Sequence, residues 1–258
     1  MTALSSYITQ TRRLVRDQAG QFFTQSAVID AVNGGRTQVA KVTGCIRALV
    51  PGSAPYGAQA TVDQAVVGAM IVGLQGNSLL QTSVFNTIAG LEVYPFSFAN
   101  GLVRATYNGC SGILAVHDVA VSWGGAKPTL GYLPWDELQA YGRSYNINRT
   151  SYPFYWSVMN DGQRGQVWLF PAPVQALEME WDCNLAPAPM YADSDTDVIP
   201  EPFDDAVKYW AARLLYLQSS RFGMAELMKE QFKEHLVIDR YAADPGKVQD
   251  YYWTQDVL

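Results

Sequence analysis

Histidine, cysteine and charge are all scarce in this sequence, and each shortage removes a class of function. Only His117 and His235 occur in 258 residues, and no GxSxG elbow accompanies them, so a Ser/His/Asp triad has little to be built from. His117 stands in an apolar run directly before Asp118. Adjacent strand residues face opposite sides, so these two make no catalytic dyad. Cys45, Cys110 and Cys183 are odd in number and far apart. Without CxxC or Cys/His spacing they support neither a zinc site nor a disulfide framework, and buried reduced thiols are expected. No GKS or GKT follows the glycine pairs Gly34-Gly35 and Gly124-Gly125, which argues against a phosphate loop. No cofactor and no metal is expected. Apolar stretches stop short of the roughly 18 residues of a membrane span, and Met1–Gln10 lacks the pattern of a signal peptide. The expectation is a chain made in a cytoplasm, soluble there and without membrane contact, for which the sequon Asn148-Arg149-Thr150 has no meaning.

Charged residues make up 16% of the chain while apolar ones reach 48% and aromatics 12%, including seven Trp and fifteen Tyr. Amphipathic rings in that number suit wide contact surfaces, which points toward assembly. The net charge of −6 is unevenly spread. Residues 1–50 carry six basic and two acidic groups, residues 51–189 five and nine, and residues 190–258 seven and thirteen. No basic cluster of nucleic-acid-binding density is present. A negative surface repels phosphate, which fits a protein that DNA slides past rather than one that grips it.

The order of elements reads as helix, then strand, then helix. Ser5 or Ser6 can cap a first helix with Tyr7, Ile8, Leu14 and Val15 on one face. Thr24 caps a second, with Ala27, Val28, Ala31, Val32, Val39 and Val42 at helical spacing. Asn33-Gly34-Gly35 interrupts that pattern, and two interior glycines cost about 2 kcal/mol against alanine. Either the helix breaks there or another backbone comes close enough to need the missing side chains; the second is the expectation. From about Val50 to Pro189, Pro and Gly punctuate strand-like runs: Ala69–Leu74, Leu91–Tyr94, Leu102–Tyr107, Ile113–Trp123, Val167–Phe170 and Leu177–Trp181. Asp161-Gly162, with Gly165 following, suggests a hairpin turn, and Pro134-Trp135-Asp136-Glu137-Leu138 a helix start. Ile199-Pro200-Glu201-Pro202 is an extended lead-in to a helix with Asp204-Asp205 in its first turn and a stripe from Phe203 to Leu217. After a break at Ser219–Gly223, a further helix carries Met224, Leu227, Met228, Phe232 and Leu236. The fold class is therefore α+β. An antiparallel helical bundle is expected from residues 1–50 and 197–240, with a β-rich barrel or sandwich insertion over 51–196 and an extended C-terminal arm over 241–258.

Two acidic segments invite chemistry. Glu178, Glu180 and Asp182 alternate with Leu177, Met179 and Trp181, which sets the carboxylates on one strand face at intervals of roughly 7 Å. Three readings fit: an ordinary solvated face, an electronegative channel wall, or a pair at inverting-glycosidase separation. Asp193-Ser194-Asp195-Thr196-Asp197 resembles the start of a calcium loop but lacks the required Gly and distant Glu. It reads as a polar linker.

Four stretches carry a family likeness. They are Ala31-Val32-Asn33-Gly34-Gly35-Arg36, Gly165-Gln166-Val167-Trp168-Leu169-Phe170-Pro171-Ala172-Pro173, Leu177-Glu178-Met179-Glu180-Trp181 and Asp197-Val198-Ile199-Pro200-Glu201-Pro202-Phe203-Asp204-Asp205-Ala206. Their order resembles the head-to-tail adaptor (connector, head-completion) proteins of tailed bacteriophages. The likeness implies a non-enzymatic subunit of the virion neck, made in the host bacterial cytoplasm. It further implies a homo-oligomeric ring, usually of twelve copies, docked on the portal protein above the next tail component (nozzle or tail tube), with double-stranded DNA passing through its lumen. Terminal segments of such adaptors grip the portal or a neighbour. Here the matching piece is 241–258, with Tyr241, Tyr251, Tyr252 and Trp253 as anchors, and Glu178, Glu180 and Asp182 as an acidic lumen face. A minor capsid or tail-terminator subunit belongs to the same structural class. The rival of another class is a tail-associated glycan-binding module or glycan hydrolase using the acidic strand 178–182.

Overall fold

A computed structural model describes residues 2–50, 85–123, 126–144, 150–160 and 164–243. The expected strand Ala69–Leu74, the glycine pair Gly124-Gly125, the expected turn at Asp161-Gly162 and the anchors Tyr251, Tyr252 and Trp253 lie outside the described residues. The fold is α+β, and the chain divides into two compact units. One comprises Met1–Ile46 with Ala186–Leu258, the other Arg47–Leu185.

The first unit is helical. Helix α1 spans Leu4–Leu14 and α2 spans Gln25–Thr43. Helices α5 (Asp204–Gln218) and α6 (Phe222–Ala243) come from the far end of the chain. Thr24 caps α2 as its chemistry predicts, its hydroxyl accepting from the Ala27 N–H. Helix α1, by contrast, starts one residue ahead of the serines, after Ala3 and without a side-chain cap. Backbone pairing does that work instead. The Leu4 N–H donates to the Asp195 carbonyl and the Asp197 N–H to the Thr2 carbonyl, each at 3.0 Å, so the entry to α1 is held by the 195–197 segment. Asp204 and Asp205 occupy the first turn of α5, where the helix dipole favours carboxylates. One core joins the four helices: Leu4 and Tyr7 from α1, Val28, Val32 and Val39 from α2, Ala206, Val207, Ala211 and Leu215 from α5, and Ala225, Met228, Phe232 and Leu236 from α6. Met224 and Leu227, assigned by the sequence to the same stripe, are instead exposed at 39% and 44%. They lie a turn face away from the Ala225–Met228–Phe232 row.

The glycines of α2 are explained by what lies on them. The helix runs unbroken through Asn33-Gly34-Gly35. A Cβ on Gly35 would stand 2.8 Å from the Val207 carbonyl oxygen of α5, and one on Gly34 would stand 2.9 Å from the Leu214 Cδ1. Backbone therefore meets backbone at Gly35, while only the end of a flexible side chain meets Gly34.

The second unit holds two sheets. Strands β1 (Arg47–Val50), β7 (Met179–Pro187) and β3 (Cys110–Val121) form one, in the order β1-β7-β3. Strands β2 (Val93–Pro95), β6 (Gln166–Phe170), β5 (Tyr155–Met159) and β4 (Gly131–Tyr132) form the other, in the order β2-β6-β5-β4. Strands β5 and β6 are antiparallel, with Tyr155 opposite Phe170 and Met159 opposite Gln166. Burial alternates residue by residue along β7, so its acids share the face away from Met179, Trp181, Cys183 and Leu185, all fully or nearly fully buried. Helix α4 covers Trp135–Ser144, with Asp136 and Glu137 in its first turn as expected. The run Leu102–Tyr107, expected as a strand, instead lies mostly in helix α3 (Phe96–Thr106). Phe96, Ala99 and Val103 are all fully buried at helical spacing, and that longer pattern overrides the short apolar alternation at its end.

The glycine contacts generate a contrast. Gly35→Ala is expected to lower the thermal midpoint, because overpacking against backbone costs about 1–3 kcal/mol. Gly34→Ala is expected to leave it level or raise it, because Leu214 can turn aside and alanine gains about 1 kcal/mol of helix propensity. Circular dichroism melts of the two variants check this. An equal rise in both would contradict the close crossing.

Candidate functional site

The acidic row of β7 meets cations. Glu178 sits in an isolated bridge with Asn86 just before the strand, and Glu180 and Asp182 follow on the same face. The Lys127 ammonium donates to Glu178 Oε1 and Glu180 Oε2, both at 3.1 Å. Partial burial pulls this ammonium's pKa down, yet its bonds to Glu180 and Glu178 outweigh that and hold it above the ordinary lysine value. Arg47 grips Asp182 with two donors, Nε at 2.8 Å and Nη2. In the β1–β7 register Arg47 stands opposite Asn184, so it reaches Asp182 on the diagonal. Three carboxylates thus face two cations, a formal −1 in place of a bare −3. With the lysine seated between the two glutamates, the space that a scissile glycosidic bond would need is filled, and this geometry does not favour the hydrolase reading.

Beneath this row the strand is sealed. Tyr107 donates its hydroxyl to the Leu49 carbonyl of β1. Burial first, then the neighbouring Cys183, Cys110 and Glu180, push its phenol up to about 12. Burial likewise pushes the Cys183 thiol well above its ordinary value, and the fully buried side chain packs as a small apolar group. His117 is exposed on β3, while Asp118 takes the Val119 N–H at 2.8 Å. His235 stacks on Tyr209 at 4.5 Å between ring centres. Among the described residues no three metal-ligating side chains gather into one group, and no helix is long and apolar enough to cross a membrane.

The segment 193–197 is more than the polar linker its composition suggests. Asp195 accepts the backbone N–H groups of Tyr191 and Ala192 at 2.8 and 2.9 Å, which holds its carboxyl below the ordinary aspartate value. Asp197 is buried at 1% exposure. It accepts from Arg36 Nη2 at 2.8 Å, the Tyr7 hydroxyl at 2.8 Å and the Ile199 N–H at 3.1 Å. Burial, followed by the Asp197 carboxylate, drives the Tyr7 phenol far above its ordinary range. Arg36, exposed at 1%, also donates to the Ala188 carbonyl at 2.7 Å and to Asn33 Oδ1 at 3.1 Å. Asn33 in turn bonds the Met190 backbone in both directions. One network therefore joins α1, α2 and the 188–199 connection. A run of alternating aspartates looks solvated; only the partner Arg36, 161 positions away, reveals otherwise.

Aromatic surface is the remaining feature. Trp123 contacts the rings of Tyr152 and Phe154 at 5.3 and 5.6 Å, and those two are exposed at 40% and 55%. Tyr132, also exposed, meets Trp156 edge-on at 5.0 Å. Sequence reading assigned no contact surface to these rings, because they meet only in the fold; the β4–β5 register, for example, sets Tyr132 opposite Trp156. Of the proposed arm anchors, Tyr241 falls in the last turn of α6, so the helix extends through the first three residues assigned to the arm.

No curated protein matches the sequence. The sequence model of the SU10 adaptor protein family matches residues 2–249, from before α1 to beyond α6. A match over nearly the whole chain covers the helical ends and the strand-rich unit together. The protein belongs to the SU10 adaptor protein family, and its role is that of a structural adaptor in a bacteriophage.

Proposed function

We propose that the protein is a ring-forming neck subunit, one of twelve copies, that docks on the portal, receives the next tail component below and lets double-stranded DNA pass through its lumen. The family match over residues 2–249 carries this reading. The physical features are compatible with it: a low charge fraction and high aromatic content, exposed rings at Tyr132, Tyr152 and Phe154, and helices from both chain ends sharing one core.

The C-terminal arm is the proposed grip. Tyr251, Tyr252 and Trp253 form an aromatic cluster of the kind that anchors interfaces in partner pockets. Because α6 continues to Ala243, the informative truncation removes residues 244–258 and spares the helix. Glu178, Glu180 and Asp182 are the proposed lumen face. Paired with Lys127 and Arg47, such a face is close to neutral, so it neither holds phosphate nor strongly repels it.

Electron microscopy of the chain mixed with purified portal is expected to show rings seated on the portal. The chain truncated after Ala243 should keep its circular dichroism and melting midpoint but lose portal binding. Normal binding by the truncated chain would remove the arm from this role. Replacing Glu178, Glu180 and Asp182 together by Lys turns the row strongly basic. The expectation is normal assembly with DNA retained or delayed at ejection, and unchanged infectivity would take these residues off the channel wall.

A further inference from the structure

The second unit carries a cleft between helix α4 and strand β6 that the adaptor reading does not use. Its volume is about 180 Å³. That is below the roughly 300–1,000 Å³ of a small-molecule pocket and of a size to admit one long side chain. Two indoles line it side by side: Trp135 opens α4, Trp168 stands on β6, and the rings pack edge to face with centres 4.6 Å apart at 60°. Phe170 and Leu138 extend the apolar lining. Gly142, one turn along α4 from Leu138, contributes no side chain, and a Cβ there would only touch the Phe170 ring at 3.9 Å. The cleft is thus left open by the absence of a side chain.

One charged group lines it. The backbone of Glu92 is held against β6, its carbonyl accepting the Leu169 N–H at 2.9 Å, and its side chain lines the cleft. Among the described residues no cation pairs with its carboxylate, whereas Glu178, Glu180 and Asp182 in the same unit all have theirs. Indole faces carry negative quadrupole charge and attract cations within about 6 Å. Two indoles and a carboxylate without a cationic partner among the described residues suit positive charge carried on a flat, weakly hydrated group. The geometry points to this cleft as a docking slot for an arginine side chain presented by another protein chain. A guanidinium stacks on indole through its plane while its edge donates to carboxylate; a lysine ammonium offers no plane and is more strongly hydrated. The proposal is independent of ring formation and of the lumen, since it requires only the second unit and an exposed arginine on a partner.

Nuclear magnetic resonance on the full-length chain tests it directly. The indole N–H signals of Trp135 and Trp168 are followed while N-acetyl-arginine amide is added, with N-acetyl-citrulline amide as the neutral isostere and sodium chloride matched. Saturable shifts of these two indoles with the arginine compound alone are expected. Glu92→Gln should weaken the response by about fivefold, the upper end for a solvent-accessible ion pair, and Gly142→Leu, which fills the cleft, should abolish it while leaving the rest of the spectrum in place. An equal response to citrulline would make the slot merely apolar and overturn the proposal. So would the absence of any saturable shift, or an unchanged response in Glu92→Gln.

Discussion

A buried ion pair, Arg36 with Asp197, is the contact on which the helical unit depends. The two side chains are 161 positions apart in sequence, and neither touches solvent appreciably. Their charges tolerate burial because hydrogen bonds surround them: Ala188 and Asn33 accept from Arg36, and Tyr7 and the Ile199 N–H donate to Asp197, leaving only the Arg36 Nε–H of this group without a partner among the described residues. Such a network contributes register more than raw stability, because any slip of α2 along its neighbours strands a charge in the core. Gly35 belongs to the same constraint. One residue before Arg36, it lets α2 approach the α5 backbone at Val207, and the adjoining side chain then lies beside the 188–199 connection. Tyr216 adds a further tie, donating to the Leu14 carbonyl at 2.9 Å. The first and last parts of the chain are in this way made one unit, with the strand-rich unit carried between them in sequence.

That arrangement suits an adaptor. A subunit meeting different partners needs a body that does not rearrange and surfaces that can be specialised separately. The body here is the helical core; the specialised surfaces are the exposed rings, the charge-balanced row of β7 and the α4–β6 cleft. The row illustrates how structure changes the meaning of a sequence pattern. As a string it is three acids; folded, it is a ladder of carboxylates interleaved with Lys127 and Arg47, whose summed field is small.

How far the sequence could be read follows from how local each signal is. Thr24, Asp136 with Glu137, and Asp204 with Asp205 act within one helical turn, and all three placed their helix starts correctly. The alternation of β7 and the unbroken glycine stretch of α2 were also legible, since period and spacing are local. Errors arose where a distant partner decides. Ser5 and Ser6 are adequate caps, yet pairing of Leu4 with Asp195 begins α1 earlier. Leu102–Tyr107 looks like a strand until Phe96 and Ala99 are counted with Val103. Asp197 reads as linker because nothing near it is basic, and Lys127 gives no local sign of bridging Glu178 and Glu180. The exposed rings of Tyr132, Tyr152 and Phe154 were invisible for the same reason.

The central claim, that Arg36 and Asp197 lock the two ends of the chain as a pair, is tested most directly by a double-mutant cycle. Arg36→Met and Asp197→Ala are each expected to cost about 3–5 kcal/mol in urea unfolding, because each leaves the other's buried partner groups unmatched. The double variant should be no worse than the poorer single, so the coupling energy should be at least as large as the smaller single effect, about 3 kcal/mol. Two small effects that simply add would contradict the account.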